Sequence, residues 1–168
     1  ILTDLKINGQ TRKVLLHAPK NGFFYVIDRA TGKIISADAY VPVSWASGID
    51  LKTGRPIEVP GARYENGPAM VSPATSGAHN WHPMAFSPKT GLFYLNVEEN
   101  GFEFAPVPVD QSNPYNQQTG VRQDGKSLPS KAFLLAWDPA RRKEVWRVPV
   151  KGGGVMALAR RMIETKTV

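Results

Sequence analysis

The sequence predicts an all-β fold of repeated antiparallel strands, because one turn motif recurs along the chain. An Asp or Ser is followed four residues later by Gly at Asp28–Gly32, Asp50–Gly54 and Ser87–Gly91, and a version without Gly runs from Asp138 to Arg142. The side-chain oxygen at the first position can bond backbone N–H groups just ahead of it, and Gly tolerates positive φ. Such turns between apolar, β-rich runs are typical of a repeat of antiparallel hairpins.

A second observation is that two copies of the strand before the turn superimpose. Phe24–Asp28 and Leu134–Asp138 match at an offset of 110 residues. In the second copy the strand after the turn carries Trp146, where the first copy has Ser36. We expect this Trp to pack against a neighbouring repeat unit.

The first repeat unit is predicted at residues 1–43. Asn8-Gly9, Asn21-Gly22 and Thr31-Gly32 supply the turn residues between apolar runs. The strands they separate are Leu2–Ile7, Val14–Ala18, Phe23–Asp28 and Lys33–Ala37. Four antiparallel strands are the content of one β-propeller blade, so the fold class is a partial propeller.

A connection is predicted at 44–77, with a short strand pair around the Thr53-Gly54 turn, and a second blade at 78–150. The strands of that blade are Met84–Ser87, Leu92–Val97, Phe133–Trp137 and Glu144–Val148. Between its second and third strands, the polar segment Glu98–Lys131 is predicted as a long loop at a rim or mouth. Residues 151–158 resemble the start of another blade, and 159–168 form an atypical tail.

Composition excludes several classes of site in these 168 residues. No Cys is present, which removes disulfides, thiolate metal ligands, a Cys nucleophile and haem attachment through C-x-x-C-H. The net charge of +7 is scattered, apart from Arg141–Lys143 near Arg147, so a solvated hairpin tip is favoured over a nucleic-acid surface. No apolar run is long enough for a membrane helix. The chain begins without Met inside a predicted strand, so we expect a fragment or a processed product.

Two stretches resemble a known family. Ala18–Lys33, which contains Ala-Pro-Lys-Asn-Gly, and Gly77–Gly91, which contains His-Asn-Trp-His-Pro, closely resemble the quinoprotein alcohol dehydrogenases that use pyrroloquinoline quinone (PQQ). Leu135–Trp146 resembles the tryptophan docking motif that joins adjacent blades in that family. The resemblance covers about residues 1–158. The haem-containing members are more similar than the methanol enzymes, which usually have Arg where this chain has Lys20.

The resemblance implies an eight-bladed propeller that holds the quinone near its axis with a bound Ca²⁺. It implies oxidation of a primary alcohol to an aldehyde in the periplasm, with an Asp as base, hydride transfer to the quinone C5 carbonyl, and electrons passed to cytochrome c. Some members carry a fused haem c domain, and that alternative stays open for a parent protein. The substrate would be a small alcohol.

The same resemblance places much of the machinery outside this segment. The catalytic base is expected upstream, and the Ca²⁺ ligands are also expected elsewhere. Asp28, Asp50 and Asp138 belong to turn motifs, so we assign none of them as the base. The remaining blades of a parent chain are therefore expected partners, and this segment is expected to be inactive alone.

Three residues are predicted to bind the cofactor because they match family positions. Lys20 matches the basic residue that contacts the quinone oxygens, where a cation stabilises the charge that develops on reduction. Asn80 and Trp81 match a cofactor-facing pair, the amide bonding a carboxylate or carbonyl and the indole lining the pocket. The alternatives are an exposed hairpin-tip Lys and a Trp that packs in the core.

His79 and His82 form an H-x-x-H pattern that is also found in metal sites. No third ligand is evident nearby, so no metal site is predicted, and a position on the pocket wall or rim is favoured.

A non-catalytic propeller scaffold that shares the repeat but binds no quinone is the alternative function. Lys20 together with Asn80 and Trp81 discriminates the two, because a scaffold has no reason to hold these side chains together. Binding of nucleic acid would need a clustered basic face with aromatic residues between the charges, and the sequence lacks that pattern.

Overall fold

A computed structural model describes residues 1–106 and 125–150, and every regular element in those ranges is a β-strand. No helix there is long and apolar enough to cross a membrane. The strands are β1 (Leu2–Ile7), β2 (Gln10–His17), β3 (Phe23–Asp28), β4 (Ile34–Ala39), β5 (Ala46–Ile49), β6 (Pro56–Glu58), β7 (Ala69–Val71), β8 (Ala85–Ser87), β9 (Leu92–Phe104), β10 (Ser127–Asp138) and β11 (Lys143–Pro149).

The first sheet has the order β1-β2-β3-β4, with all neighbours antiparallel, as the sequence predicts for the first blade. Alternate side chains of β2 and of the residue after it, Val14, Leu16 and Ala18, are buried. This period of two is the reason these residues form a strand with one face on a core. The short pair β5 and β6 forms the predicted hairpin around Thr53-Gly54.

The second sheet has the order β11-β10-β9-β7, and β8 also pairs with β9. All four predicted strands are present, but the prediction of a loop over Glu98–Lys131 is wrong at both ends. Strand β9 continues to Phe104 and β10 begins at Ser127, so the two ends of this segment pair with each other. The short strand β7, inside the predicted connection, pairs with the end of β9.

A polar segment can form a strand because the backbone, rather than the side chains, makes the hydrogen bonds of the ladder. The predicted blade and connection bounds (1–43, 44–77 and 78–150) stay predictions. The predicted start of another blade at 151–158 and the tail at 159–168 lie outside the described residues.

The main core lies between the two large sheets, and aromatic rings from both sheets contact each other within it. Phe24 of the first sheet contacts Phe93 edge to face, with ring centroids 4.8 Å apart, and stacks on Trp137 at 5.7 Å. Trp137 is only 5% exposed. Trp146, which we expected to pack against another unit, is 38% exposed and contacts Tyr94 of its own sheet at 5.9 Å. Trp137 is therefore the tryptophan that joins the two large sheets.

The recurring turn has the predicted geometry in each copy. In the first, Asp28 Oδ1 accepts hydrogen bonds from the N–H groups of Ala30 and Thr31 at 3.0 and 2.9 Å. The Gly at the fourth position after the Asp or Ser has a φ of 72°, 72° and 70° in the three Gly-containing copies. Arg142 adopts a φ of 61° in the copy that lacks Gly. The turn is therefore set by the side chain of its first residue, and Gly lowers its strain.

Arg142 also joins the two sheets. Its Nε and Nη2 donate to the Asp38 carboxylate on β4 at 2.9 and 2.7 Å. The side chain of Arg142 is 54% exposed, so this ion pair contributes a modest stabilisation of about 0.2–1 kcal/mol. The backbone strain of a non-Gly residue at positive φ opposes it by about 1 kcal/mol.

We expect Arg142→Ala to lower the free energy of unfolding by up to about 1 kcal/mol, because the ion pair is lost and the strain remains. Arg142→Gly loses the same ion pair but relieves the strain, so it should be about 1 kcal/mol more stable than Arg142→Ala. Urea unfolding of both variants measures the difference, and Asp38→Asn removes the ion pair with the turn unchanged. Equal stability of the Ala and Gly variants would contradict the assigned strain.

Candidate functional site

The structure places the two stretches that carry the family resemblance in direct contact. Lys20 lies in the turn between β2 and β3, and its carbonyl accepts a hydrogen bond from the Ala78 N–H at 3.0 Å. A Cβ placed on Gly77 would lie 2.6 Å from Cβ and Cγ of Lys20 and 2.7 Å from its Cα. Only glycine allows the two backbones to approach this closely.

The direction of the Lys20 side chain is set by the turn at residues 74–77. Its Nζ donates to the Thr75 carbonyl at 3.3 Å. Asn100 of β9 holds that turn: it accepts a hydrogen bond from the Ala74 N–H at 2.7 Å and donates to Ser76 Oγ at 2.8 Å and the Gly77 carbonyl at 3.2 Å. Sequence reasoning missed Asn100, because it lies in the polar segment that was predicted as a loop.

The loop that follows Gly77 exposes the other two predicted residues. Asn80 is exposed, and Trp81 has 73% of its surface accessible, so Trp81 does not pack in the described core. His79 is 3% exposed, and its Nδ1 lies 2.9 Å from the Asn96 carbonyl of β9. The buried His anchors the loop, and Asn80 and Trp81 project from it.

A cavity of about 270 Å³ lies under this loop. Asn80 and Trp81 both line it. Lys20 is not part of the lining, although it contacts two lining residues, Gly77 and Ala78. The full lining comprises Ser76, Gly77, Ala78, His79, Asn80, Trp81, His82, Asn96 and Glu98.

Burial keeps the histidines of this cavity neutral near pH 7. Desolvation lowers the pKa of His79 below its ordinary value, and the hydrogen bond with the Asn96 carbonyl offsets part of that effect. Burial also lowers the pKa of His82, against the opposing charge of Glu98. The two histidines therefore bring no positive charge to the cavity near pH 7, and Lys20, which contacts Gly77 and Ala78 of its lining, is the nearby cationic residue type.

The polar atoms around the cavity can bind a flat ligand that carries carbonyl or carboxylate oxygens. Lys20 and the Asn80 amide are donors for such oxygens, and the Trp81 indole offers an apolar face. His79 Nε2 and His82 Nδ1 are buried and find no hydrogen-bond partner within the described ranges.

Metal ligands are not gathered here. Residues 1–106 and 125–150 contain no group of three or more His, Asp or Glu side chains placed to hold a metal ion. His79 and His82 therefore lack a third ligand from that part of the chain. The expectation that the Ca²⁺ ligands and the catalytic base lie elsewhere stays a prediction.

Comparison with known proteins identifies relatives, although no family model matches the chain. The quinohemoprotein alcohol dehydrogenase ADH IIB of Pseudomonas putida is 43% identical over 170 residues, covering 96% of this chain and 24% of that protein. The quinohemoprotein alcohol dehydrogenase of Comamonas testosteroni is 47% identical over 168 residues, covering 91% and 24%. The chain thus spans about a quarter of the length of the curated relatives it matches.

Solved structures agree with these relatives. A quinohemoprotein alcohol dehydrogenase of Pseudomonas putida superimposes with a TM-score of 0.79 at 41% identity, over 89% of this chain and 24% of that one. A europium-containing methanol dehydrogenase gives a TM-score of 0.72 at 28% identity, over 89% and 27%. The prediction of a partial propeller of the quinoprotein dehydrogenase type is confirmed.

Proposed function

Because the chain is homologous to about a quarter of the quinohemoprotein alcohol dehydrogenases, we propose that it forms two propeller blades and one wall of the PQQ site of such an enzyme. The complete enzyme would oxidise a primary alcohol to an aldehyde in the periplasm and pass electrons to cytochrome c. Two further relatives, a 1-butanol dehydrogenase and a lupanine 17-hydroxylase, carry cytochrome c in their names. The base, the Ca²⁺ ligands and any haem c would come from the other blades or domains, so the chain alone would be inactive.

One observation supports this proposal above the others. Lys20 and the Asn80-Trp81 loop are far apart in sequence, yet they are joined by the Ala78 to Lys20 hydrogen bond and by the close approach of Gly77. A propeller that served only as a scaffold would have no need for a glycine that lets a loop close onto a lysine. The enzyme is therefore favoured over the non-catalytic scaffold.

The residues present fit the quinone. Lys20 would contact its quinone oxygens, Asn80 would donate to a carboxylate or carbonyl, and Trp81 would line the pocket. The bound quinone supplies the two-electron acceptor for the alcohol. The chain's own contribution is to hold a cation beside an oxygen that gains negative charge and to fix its direction through Thr75.

We expect Lys20→Ala to weaken quinone binding by about 10- to 100-fold, because it removes a charged hydrogen bond of about 1.5–3 kcal/mol. The measurement uses a chimera in which this chain replaces the matching quarter of the Pseudomonas putida ADH IIB enzyme. Quinone is titrated in the presence of Ca²⁺ and followed by protein fluorescence. The 168-residue chain by itself is expected to show no Ca²⁺-dependent binding.

Lys20→Arg is the conservative variant and should retain most of the affinity, because it keeps the charge. Lys33→Ala is the matched control, since Lys33 is an exposed lysine beside the Thr31-Gly32 turn. If a folded chimera that retains Lys20, Asn80 and Trp81 did not bind the quinone, the enzyme proposal would be overturned in favour of the scaffold.

A further inference from the structure

Three rings of the His79–His82 loop are joined by two ring contacts, and one of the three is the exposed Trp81. The His82 imidazole lies against the Trp81 indole, with ring centroids 4.1 Å apart and planes 30° apart. His82 also contacts His79, with ring centroids 6.3 Å apart and planes 64° apart. The rings thus run from the buried His79, through His82, to the mouth of the cavity.

The inner ring of the three is fixed to the sheet. His79 is 3% exposed, and its Nδ1 is 2.9 Å from the Asn96 carbonyl of β9. A carbonyl oxygen only accepts, so Nδ1 carries the proton in the neutral ring. Both the tautomer and the ring orientation of His79 are therefore set by a strand.

The outer ring depends on His82. Trp81 is 73% exposed, and His82 is the only ring that it contacts within residues 1–106 and 125–150. An indole with so much free surface has few packing contacts to fix its rotamer. Most of the restraint on this side chain therefore comes from the imidazole beneath it.

We propose that His82 is a positioning residue, which supports the Trp81 indole at the mouth of the cavity, with His79 as its anchor. This inference rests on the proposed role of Trp81 in the quinone site. It also gives the H-x-x-H spacing a function other than metal binding: one His is held by β9 and the other supports the Trp between them in sequence.

The charge state of His82 gives the inference a spectroscopic readout. The titratable groups that face His82 are His79 on its own loop and Glu98 on β9, while His17 of β2 acts on His79. Burial lowers the pKa of His82, so the ring against Trp81 is neutral at pH 7 and becomes charged on acidification. An imidazolium in contact with an indole quenches its emission, and the contact becomes a cation–π pair.

The test uses the full 168-residue chain without quinone. The emission of Trp81 is the difference between the wild-type chain and Trp81→Phe, in which the other three tryptophans cancel. As the pH is lowered through the range below about 6.5, we expect this emission to fall in one step as His82 is protonated. His82→Phe keeps a ring under Trp81 and should abolish the step but retain the fluorescence anisotropy of Trp81. His82→Ala should abolish the step and lower the anisotropy.

Two results would overturn the inference. One is a fluorescence anisotropy of Trp81 that is the same in His82→Ala as in the wild-type chain and in His82→Phe. The other is loss of the step in His17→Gln, which would assign the titration to His17. Because quinone is absent throughout, the outcome is independent of the proposed function. If the folded chimera did not bind quinone, the proposed function would be refuted. The proposed support of Trp81 by His82 would still stand.

Discussion

Replacing Trp137 with alanine is expected to lower the free energy of unfolding by about 3–5 kcal/mol, the usual loss for a large buried aromatic residue. Trp137 belongs to the second sheet, is 5% exposed and stacks on Phe24 of the first sheet at 5.7 Å. Phe24 in turn contacts Phe93 at 4.8 Å, so removing the indole opens a cavity between the sheets and loosens a second ring pair. The close packing of this region leaves little room for neighbouring side chains to fill the cavity.

Urea unfolding followed by far-ultraviolet circular dichroism measures this loss, and Trp146→Ala is its matched control. Trp146 is the same residue type in the adjacent strand, but it is 38% exposed and contacts only Tyr94 among the described rings. We expect its replacement to cost about 1 kcal/mol. If Trp146→Ala destabilised the chain as much as Trp137→Ala, the contact between Trp137 and Phe24 would not make the larger contribution to stability assigned to it here.

Gly77→Ala is expected to cost about 2–4 kcal/mol of stability, because two penalties add. Gly77 has a φ of 82°, which is unfavourable for alanine. The new Cβ would also lie 2.7 Å from Cα of Lys20, a backbone atom that cannot move aside. In the chimera, the loop and Lys20 would be forced apart, so quinone affinity should fall together with stability.

Gly61→Ala separates the two penalties. Gly61 has the same φ of 82°, but a Cβ placed there meets nothing within 4 Å. It should therefore show only the conformational cost of about 1 kcal/mol and leave quinone binding unchanged. Equal losses in the two variants would mean that the contact between Gly77 and Lys20 is not restrictive.

Local signals predicted most of the strands. Phe23–Asp28 was recognisable because apolar residues run directly into an Asp-initiated turn, and both features are encoded by neighbouring residues. Glu98–Phe104 was not recognisable, because it opens with four polar or Gly residues and only Phe102 and Phe104 are apolar. Its strand partner, which begins at Ser127, comes from a distant part of the chain. Pairing of this kind is decided by tertiary structure rather than by composition.

The residues of the candidate site also fall into two groups, those that the sequence identified and those that only the structure revealed. Lys20, Asn80 and Trp81 were identified by resemblance to a family, and their role in binding the quinone stays a prediction. In the sequence, Gly77 cannot be told apart from other turn glycines, and Asn100 lies in a segment predicted as a polar loop. Their importance comes from contacts with residues far away in sequence, Lys20 for Gly77 and Ala74 for Asn100.

The main apolar core is shared by the two large sheets, so one repeated sheet does not form a core of its own. Leu16 and Val26 of the first sheet and Leu95 and Leu135 of the second belong to one continuous apolar cluster. A duplicated gene segment could supply the strands of one blade, but neither sheet encloses an apolar interior by itself. Because the cluster needs both sheets, we expect them to unfold together in one cooperative transition. The repeated unit is a single sheet, whereas the unit that buries the apolar cluster is the pair of sheets.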